Sequence, residues 1–208
     1  MNLDKIYVID VGDVLDKKLR HKFITQHKWQ KKFYNASKRY VFVPNGGIEC
    51  FSPLFNIIYP EIRKIDSKID FMSIEEQKEE NLFAFALVQN KDRNTFIWHN
   101  HFLYAYDELH HGSIVWHPHK WSTVYYWRMP EGSGGIRFRE NGKEILVNPK
   151  EGQLVIFPAS LYHTPDINQC EDWRISININ IADRNVLMRG NQVIQGDMTD
   201  WNFDYSTI

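Results

Sequence analysis

The chain has 208 residues, 43% hydrophobic and 14% aromatic, with a formal net charge of -1. That length and apolar content suffice for one domain with a sizeable core, and they exclude a disordered or fibrous protein. The charge balance gives no global pull toward nucleic acid or anionic lipid. Cys50 and Cys170, far apart in sequence, exclude a zinc ribbon and a disulfide scaffold.

The opening Met1 to Ile6 lacks the basic-then-apolar layout of a signal peptide, and no apolar run approaches membrane-spanning length. The expectation is a soluble, unprocessed chain without membrane contact, in a reducing cytoplasm. Ile6, Val8 and Ile9 predict a short strand. Leu19 to Tyr34 reads as a charged helix or ordered loop. From Asp16 to Arg39 there are nine Lys or Arg and one acid. Lys17 to Arg39 is therefore read as a solvated basic face, docking to an acidic partner or polynucleotide being the alternative. Leu54, Ile57, Ile58, Ile62, Ile65 and Ile69 recur at three- and four-residue steps, which predicts an amphipathic helix beginning near Pro60. Glu75 to Asn81 is a polar connection.

From Leu82 the chain changes to short β-rich segments. These are Phe83 to Val88, Phe96 to His99, Ser113 to Trp116, Thr123 to Arg128, Ile136 to Phe138, Glu144 to Val147, Leu154 to Phe157 and Arg174 to Ile181. Asn141-Gly142 is a strong hairpin turn. The expected fold is mostly β with an N-terminal helical layer, a double-stranded β-helix or cupin-like jelly roll. One domain spans 1–208, with mixed support over about 1–81 and the jelly-roll core over about 82–208.

Arg174-Ile-Ser176-Ile-Asn178-Ile-Asn180-Ile alternates strictly, so four polar residues share one face and four isoleucines the other. Isoleucines facing water would be wasteful. The pattern predicts isoleucines under a packed layer and Arg174, Ser176 and Asn178 lining a polar interior.

Six of the nine histidines lie between His99 and His119. His117 and His119, two apart on one strand face, with His163 returned by a later strand, read as three imidazole ligands for a divalent transition metal. His99, His101, His110 and His111 read as surface or hydrogen-bonded residues, His111 being the reserve ligand. Arg174 offers a planar fork of donors that suits a carboxylate beside the metal.

Residues about 111 to 181 resemble the core of a 2-oxoglutarate/Fe(II)-dependent oxygenase of the prolyl-hydroxylase-like kind, which includes uncharacterised bacterial and phage members. The resemblance rests on His117-Pro-His119, Ser122-Thr-Val-Tyr-Tyr126, Gly134-Gly-Ile-Arg-Phe138, Glu151-Gly-Gln-Leu-Val-Ile-Phe-Pro-Ala-Ser160-Leu-Tyr-His163 and the Arg174 to Asn180 strand. It implies Fe(II) on His117, His119 and His163, with 2-oxoglutarate as cosubstrate and O2 as oxidant. The distal carboxylate of 2-oxoglutarate would lie on Arg174 and Ser176, with help from Tyr126 and with Asn178 on the same wall. It further implies hydroxylation of a peptidyl or small-molecule substrate, with release of succinate and CO2.

The family usually places Asp or Glu at the second position of the first ligand pair, where this chain has His119. Asp107, Glu108 and Asp166 are loop carboxylates that remain as alternatives. Trp116, Trp121 and Trp127 are read either as lining a substrate mouth or as core packing. Two other functions use the same residues: a cupin-type metal enzyme independent of 2-oxoglutarate, and a non-catalytic jelly-roll binding protein.

Overall fold

The computed structural model describes residues 2–21, 39–42, 51–73, 84–89, 91, 98–101, 103–104, 115–116 and 119–185. Eleven strands are present among them: β1 (Tyr7–Asp10), β2 (Arg39–Phe42), β3 (Ala84–Gln89), β4 (Leu103–Tyr104), β5 (Val115–Trp116), β6 (His119–Arg128), β7 (Ile136–Glu140), β8 (Lys143–Val147), β9 (Gln153–Pro158), β10 (Tyr162–Pro165) and β11 (Arg174–Ala182). The larger sheet has six strands in the order β1-β9-β6-β11-β3-β2, the smaller has β10-β7-β8, and β4 pairs with β5. The pairings within the two larger sheets are antiparallel. These facing sheets are the jelly roll that the spacing of β segments predicts. β1 and β2, from the amino-terminal part of the chain, complete both edges of the larger sheet.

The alternation along β11 divides the molecule. Ile175, Ile177, Ile179 and Ile181 are fully buried in one core with Ala84, Ala86 and Val88 of β3 and Trp121, Tyr125 and Trp127 of β6. Helix α1 (Ser52–Ile65) closes this core with Leu54, Phe55, Ile58 and Ile62. On the other face, Val124 and Tyr126 of β6 join Ile136, Phe138, Val155 and Phe157 in a second core between the sheets. Trp121 and Trp127 thus belong to the helix-side core, which decides their role in favour of packing.

Helix α1 starts at Ser52, earlier than Pro60 suggested. Pro53 takes the first-turn position, where a missing N–H costs nothing, and Pro60 lies inside the helix. An internal proline forfeits one backbone hydrogen bond. Burial of the apolar stripe on both sides of it, worth roughly 1.5–3 kcal/mol per large side chain, outweighs that loss.

The helical layer is pinned to the sheet by Asp183, just beyond β11. Its carboxylate accepts from Lys120 Nζ at 2.8 Å, from the Asn185 N–H at 3.0 Å and from the Asp70 N–H at 3.2 Å. Lys120 Nζ also reaches Asp66, at the end of α1, at 2.8 Å. Burial opposes ionisation of Asp183, but these donors outweigh it and hold the carboxyl below its usual value. Among the described residues no helix is long and apolar enough to cross a membrane.

A group whose folded pKa is depressed contributes stability that is complete above its unfolded value and is lost as pH falls through the folded one. Asp183→Asn should therefore destabilise the protein in urea by about 1–3 kcal/mol at neutral pH. The gap to the wild type should narrow only below pH ~4, the unfolded carboxylate value. Ile58→Ala, by contrast, should cost about 2–5 kcal/mol by leaving a cavity, with no such pH dependence.

Candidate metal centre and anion pocket

The short strand β10 carries His163 back over the cavity between the sheets. His163 is register-paired with Phe138 of β7, and its ring packs on Phe157, with centroids 4.7 Å apart. Its backbone exchanges two hydrogen bonds with His99, the N–H of each donating to the carbonyl of the other at 3.2 and 2.9 Å. This bridge delivers a His99-Asn100-His101 segment to the same spot. The ligand nitrogens of His99, His101 and His163 lie within 4.8 Å of one another, and among the described residues this is the one such metal-competent group.

Each imidazole is held by its surroundings. His163 Nδ1–H donates to the Leu161 carbonyl at 3.0 Å, which leaves the Nε2 lone pair facing His101 Nε2 at 3.1 Å. Burial, followed by the neighbouring His99, lowers the His163 pKa well below the ordinary histidine value, so the ring is neutral. The His101 ring is set by Asn180, whose Nδ2 lies 3.3 Å from Nδ1 and whose Oδ1 accepts from Ser122 Oγ at 2.8 Å. The His101 N–H donates to the Ala159 carbonyl at 2.8 Å.

The donor set fits a transition metal. Two nitrogens 3.1 Å apart are spaced as cis ligands on one ion with bonds of about 2.1 Å would be. At that distance the two ring nitrogens share either a cation or a proton, and with Asn180 Nδ2 donating to His101 Nδ1 the proton is carried by His101 Nε2.

The pair set against His163 is thus His99 and His101, where the sequence reading had His117 and His119. His117 lies outside the described residues, as do Asp107, Glu108, His110 and His111. His119 is buried behind the group, and its Nδ1–H donates to the His101 carbonyl at 3.2 Å. A register shift between β6 and β11 at Ile181/Ala182 puts Lys120 and Trp121 on one side, where both bond to Asp66, and His119 on the other. His119 therefore braces the ligand segment from behind. Asp166 is engaged by Arg137, with Nε 3.0 Å from Oδ1.

The same cavity receives the polar face of β11. Arg174, Ser176 and Asn178 line it together with Tyr126 of β6, Phe85, Leu87 and Gln89 of β3, and the three histidines, around a cavity of about 40 Å³. The four residues expected to hold a cosubstrate are thus gathered beside the histidines. Arg174 is 1% exposed and is surrounded by neutral acceptors. Its Nη1 donates to the Ser133 carbonyl at 2.7 Å and the Gly135 carbonyl at 3.3 Å, and its Nη2 to the Asp166 carbonyl at 2.8 Å. Burial lowers its pKa, although not enough to discharge a guanidinium. Burial raises the Tyr126 pKa, so its phenol remains an O–H donor at neutral pH.

Gly134 and Gly135 make room for this arrangement. Gly134 has φ +72°, and a side chain on Gly135 would meet the Val147 carbonyl at 1.9 Å, so only glycine brings this turn close enough to present its carbonyl to Arg174.

Residues 137–180 match the family described as "Putative 2OG-Fe(II) oxygenase". Among solved structures the chain resembles a prolyl hydroxylase from Trichoplax adhaerens in complex with a hypoxia inducible factor oxygen degradation domain peptide fragment. The TM-score is 0.55 at 10% identity, covering 92% of this chain and 87% of that one. It also resembles HygX from Streptomyces hygroscopicus with nickel and 2-oxoglutarate bound, at TM-score 0.51 and 10% identity over 86% of this chain and 82% of that one. A Pseudomonas putida prolyl-4-hydroxylase gives TM-score 0.50 and 13% identity over 86% of this chain and 92% of that one. At such identities the likeness speaks for the fold. No curated protein matches the chain in sequence.

Fold and site define a jelly roll with a histidine cluster suited to a transition metal and a buried cationic pocket beside it. The match over residues 137–180 and the shared fold make the chain similar to the 2OG-Fe(II) oxygenases.

Anaerobic calorimetry with Fe(II) should separate the roles of the histidines. His101→Ala and His163→Ala should each abolish specific binding, because a ligand pair holds iron too weakly against water. His119→Ala and Asn180→Ala, which remove groups behind the ligands, should weaken it about 10- to 100-fold. Wild-type affinity in folded His101→Ala would remove that residue from the site.

Proposed function

We propose that the protein is an Fe(II)- and 2-oxoglutarate-dependent dioxygenase that hydroxylates a peptidyl or small-molecule substrate. The observation that carries this reading is the buried Arg174 cation facing the same cavity as His99, His101 and His163. A metal site alone needs no such cation, whereas a 2-oxo dicarboxylate needs both a metal for its oxo acid end and a cation for its far end. HygX holds nickel and 2-oxoglutarate on the same fold.

In this reading His99, His101 and His163 hold Fe(II), which supplies the chemistry that couples O2 reduction to decarboxylation of 2-oxoglutarate. One oxygen atom enters succinate, the other the substrate, and CO2 leaves. The chain's own part is positional. Ser176 and the Tyr126 hydroxyl hold the distal carboxylate in the positive field of Arg174, so the oxo acid end points at the histidines. Phe85, Leu87, Val124 and Ile136 form apolar walls that keep water from the reacting end. The Leu161 carbonyl keeps the His163 imidazole in the tautomer that ligation requires, and Asn180 holds the plane of the His101 ring.

Removing one partner of a buried charge pair costs about 2–5 kcal/mol, so Arg174→Ala should weaken anaerobic 2-oxoglutarate binding roughly 30-fold or more. Arg174→Lys, which keeps the charge but loses the planar fork, should fall between Arg174→Ala and the wild type. Fe(II) affinity should persist in both variants, and aerobic succinate formation should follow 2-oxoglutarate affinity. Unchanged 2-oxoglutarate binding in a folded, Fe(II)-binding Arg174→Ala protein would overturn the cosubstrate assignment in favour of a cupin-type metal enzyme.

A further inference from the structure

Arg174 cannot grip a carboxylate with a free fork, because its fork is already occupied. Three of its five N–H groups donate to the Ser133, Gly135 and Asp166 carbonyls, and the other two, on Nε and Nη2, converge on Gln89 Oε1 at 3.0 and 2.5 Å. Gln89 lies directly opposite Arg174 in the β3–β11 ladder and is 1% exposed. Arginine only donates, so the Gln89 amide must present its oxygen to the guanidinium and its NH2 group the other way. That NH2 group, Nε2, is buried and has no hydrogen-bond partner among the described residues, and Gln89 lines the cavity that Ser176 and Tyr126 share. A fully buried donor pair left without an acceptor is costly unless a ligand supplies one.

We infer that Gln89 is a specificity-determining residue for a 2-oxo dicarboxylate, fixing the Arg174 guanidinium with its amide oxygen and donating from Nε2 to the ligand's distal carboxylate. The inference rests on the 2-oxoglutarate reading above and sharpens it. Arg174 supplies the positive potential from within a shell of neutral acceptors, and the hydrogen bonds that select a carboxylate end come from Gln89, Ser176 and Tyr126. A site built to hydrogen-bond a polar group rejects an analogue lacking that group, because its buried donors are then left unpaired. The class selected is accordingly a five-carbon 2-oxo acid ending in a carboxylate, against one of equal length ending in a methyl group.

The test is anaerobic titration of the Ni(II)-loaded protein with 2-oxoglutarate and, separately, with 2-oxopentanoate, which lacks the distal carboxylate. Titration with Ni(II) alone reports that each variant is folded. Gln89→Leu should weaken 2-oxoglutarate binding about tenfold or more while leaving 2-oxopentanoate and Ni(II) binding unchanged, so the preference between the two acids collapses. Gln89→Glu, nearly isosteric, should pair with Arg174, place a negative charge where the ligand's carboxylate belongs, and weaken 2-oxoglutarate about 100-fold or more with 2-oxopentanoate spared. It carries the test if Gln89→Leu loses Ni(II) binding. Equal loss of both acids, or no loss of either, in variants that bind Ni(II) would overturn the role of Gln89 while leaving 2-oxoglutarate use intact. A wild-type protein that binds Ni(II) but not 2-oxoglutarate would overturn both.

Discussion

Everything in this molecule hangs on the two faces of β11. A strand whose side chains alternate strictly cannot satisfy a row of isoleucines and a row of hydrogen-bonding groups in the same medium. The isoleucines require an apolar cover, which α1 provides together with the outer faces of β3 and β6. The polar row requires partners away from bulk water, and the inter-sheet cavity provides them. Since β11 is flanked by β6 on one side and β3 on the other, its alternation sets theirs: Tyr126 comes opposite Ser176, and Gln89 opposite Arg174. The anion pocket is therefore a consequence of strand register, and a one-residue slip would send Arg174 into the isoleucine core.

This dependence explains what could be read in advance. The β11 pattern is local, so its buried isoleucines and its polar face with Arg174, Ser176 and Asn178 were legible from the residues alone, while Tyr126 entered only through the family resemblance. His163, following a Gly-bounded β segment, was legible for the same reason, although β10 itself is too short to announce itself. The His-x-His pair that lies beside His163 among the described residues was not. His99-Asn-His101 and His117-Pro-His119 carry an identical His-x-His signal within a few turns of chain, and the β-like surroundings of the second favoured it. What separates them is long-range: the backbone bridge between His99 and His163, and the register shift that sets His119 behind His101. Neither has a local sequence signature.

Pro60 misled for a different reason. Proline at the start of an apolar period is a good helix-start signal, but Pro53 satisfies the same rule one and a half to two turns earlier, and the apolar stripe runs through Pro60 without a break. Tertiary burial of Leu54, Phe55, Ile58 and Ile62 overrode a local propensity, as packing commonly does. Gln89 escaped notice because glutamine at the end of a strand normally meets water. Only its register opposite Arg174 gives it a function.

The charge of the pocket gives the design its electrostatic logic. Imidazole ligands contribute ligand strength without negative charge, and among the described residues no carboxylate joins the three histidines. A divalent ion there, with the buried Arg174 guanidinium nearby, makes a cavity carrying three positive charges, and Tyr126 stays protonated and offsets none of them. In a low-dielectric interior such an excess is strongly unfavourable until an anion enters. A dianionic oxo acid leaves one positive charge, whereas a monoanionic one leaves two. A carboxylate ligand would neutralise part of this excess, whereas an all-histidine set would leave the work of charge compensation to the cosubstrate. The affinity for a dianion then depends on the metal being in place, and the two ligands are coupled through charge as well as through contact.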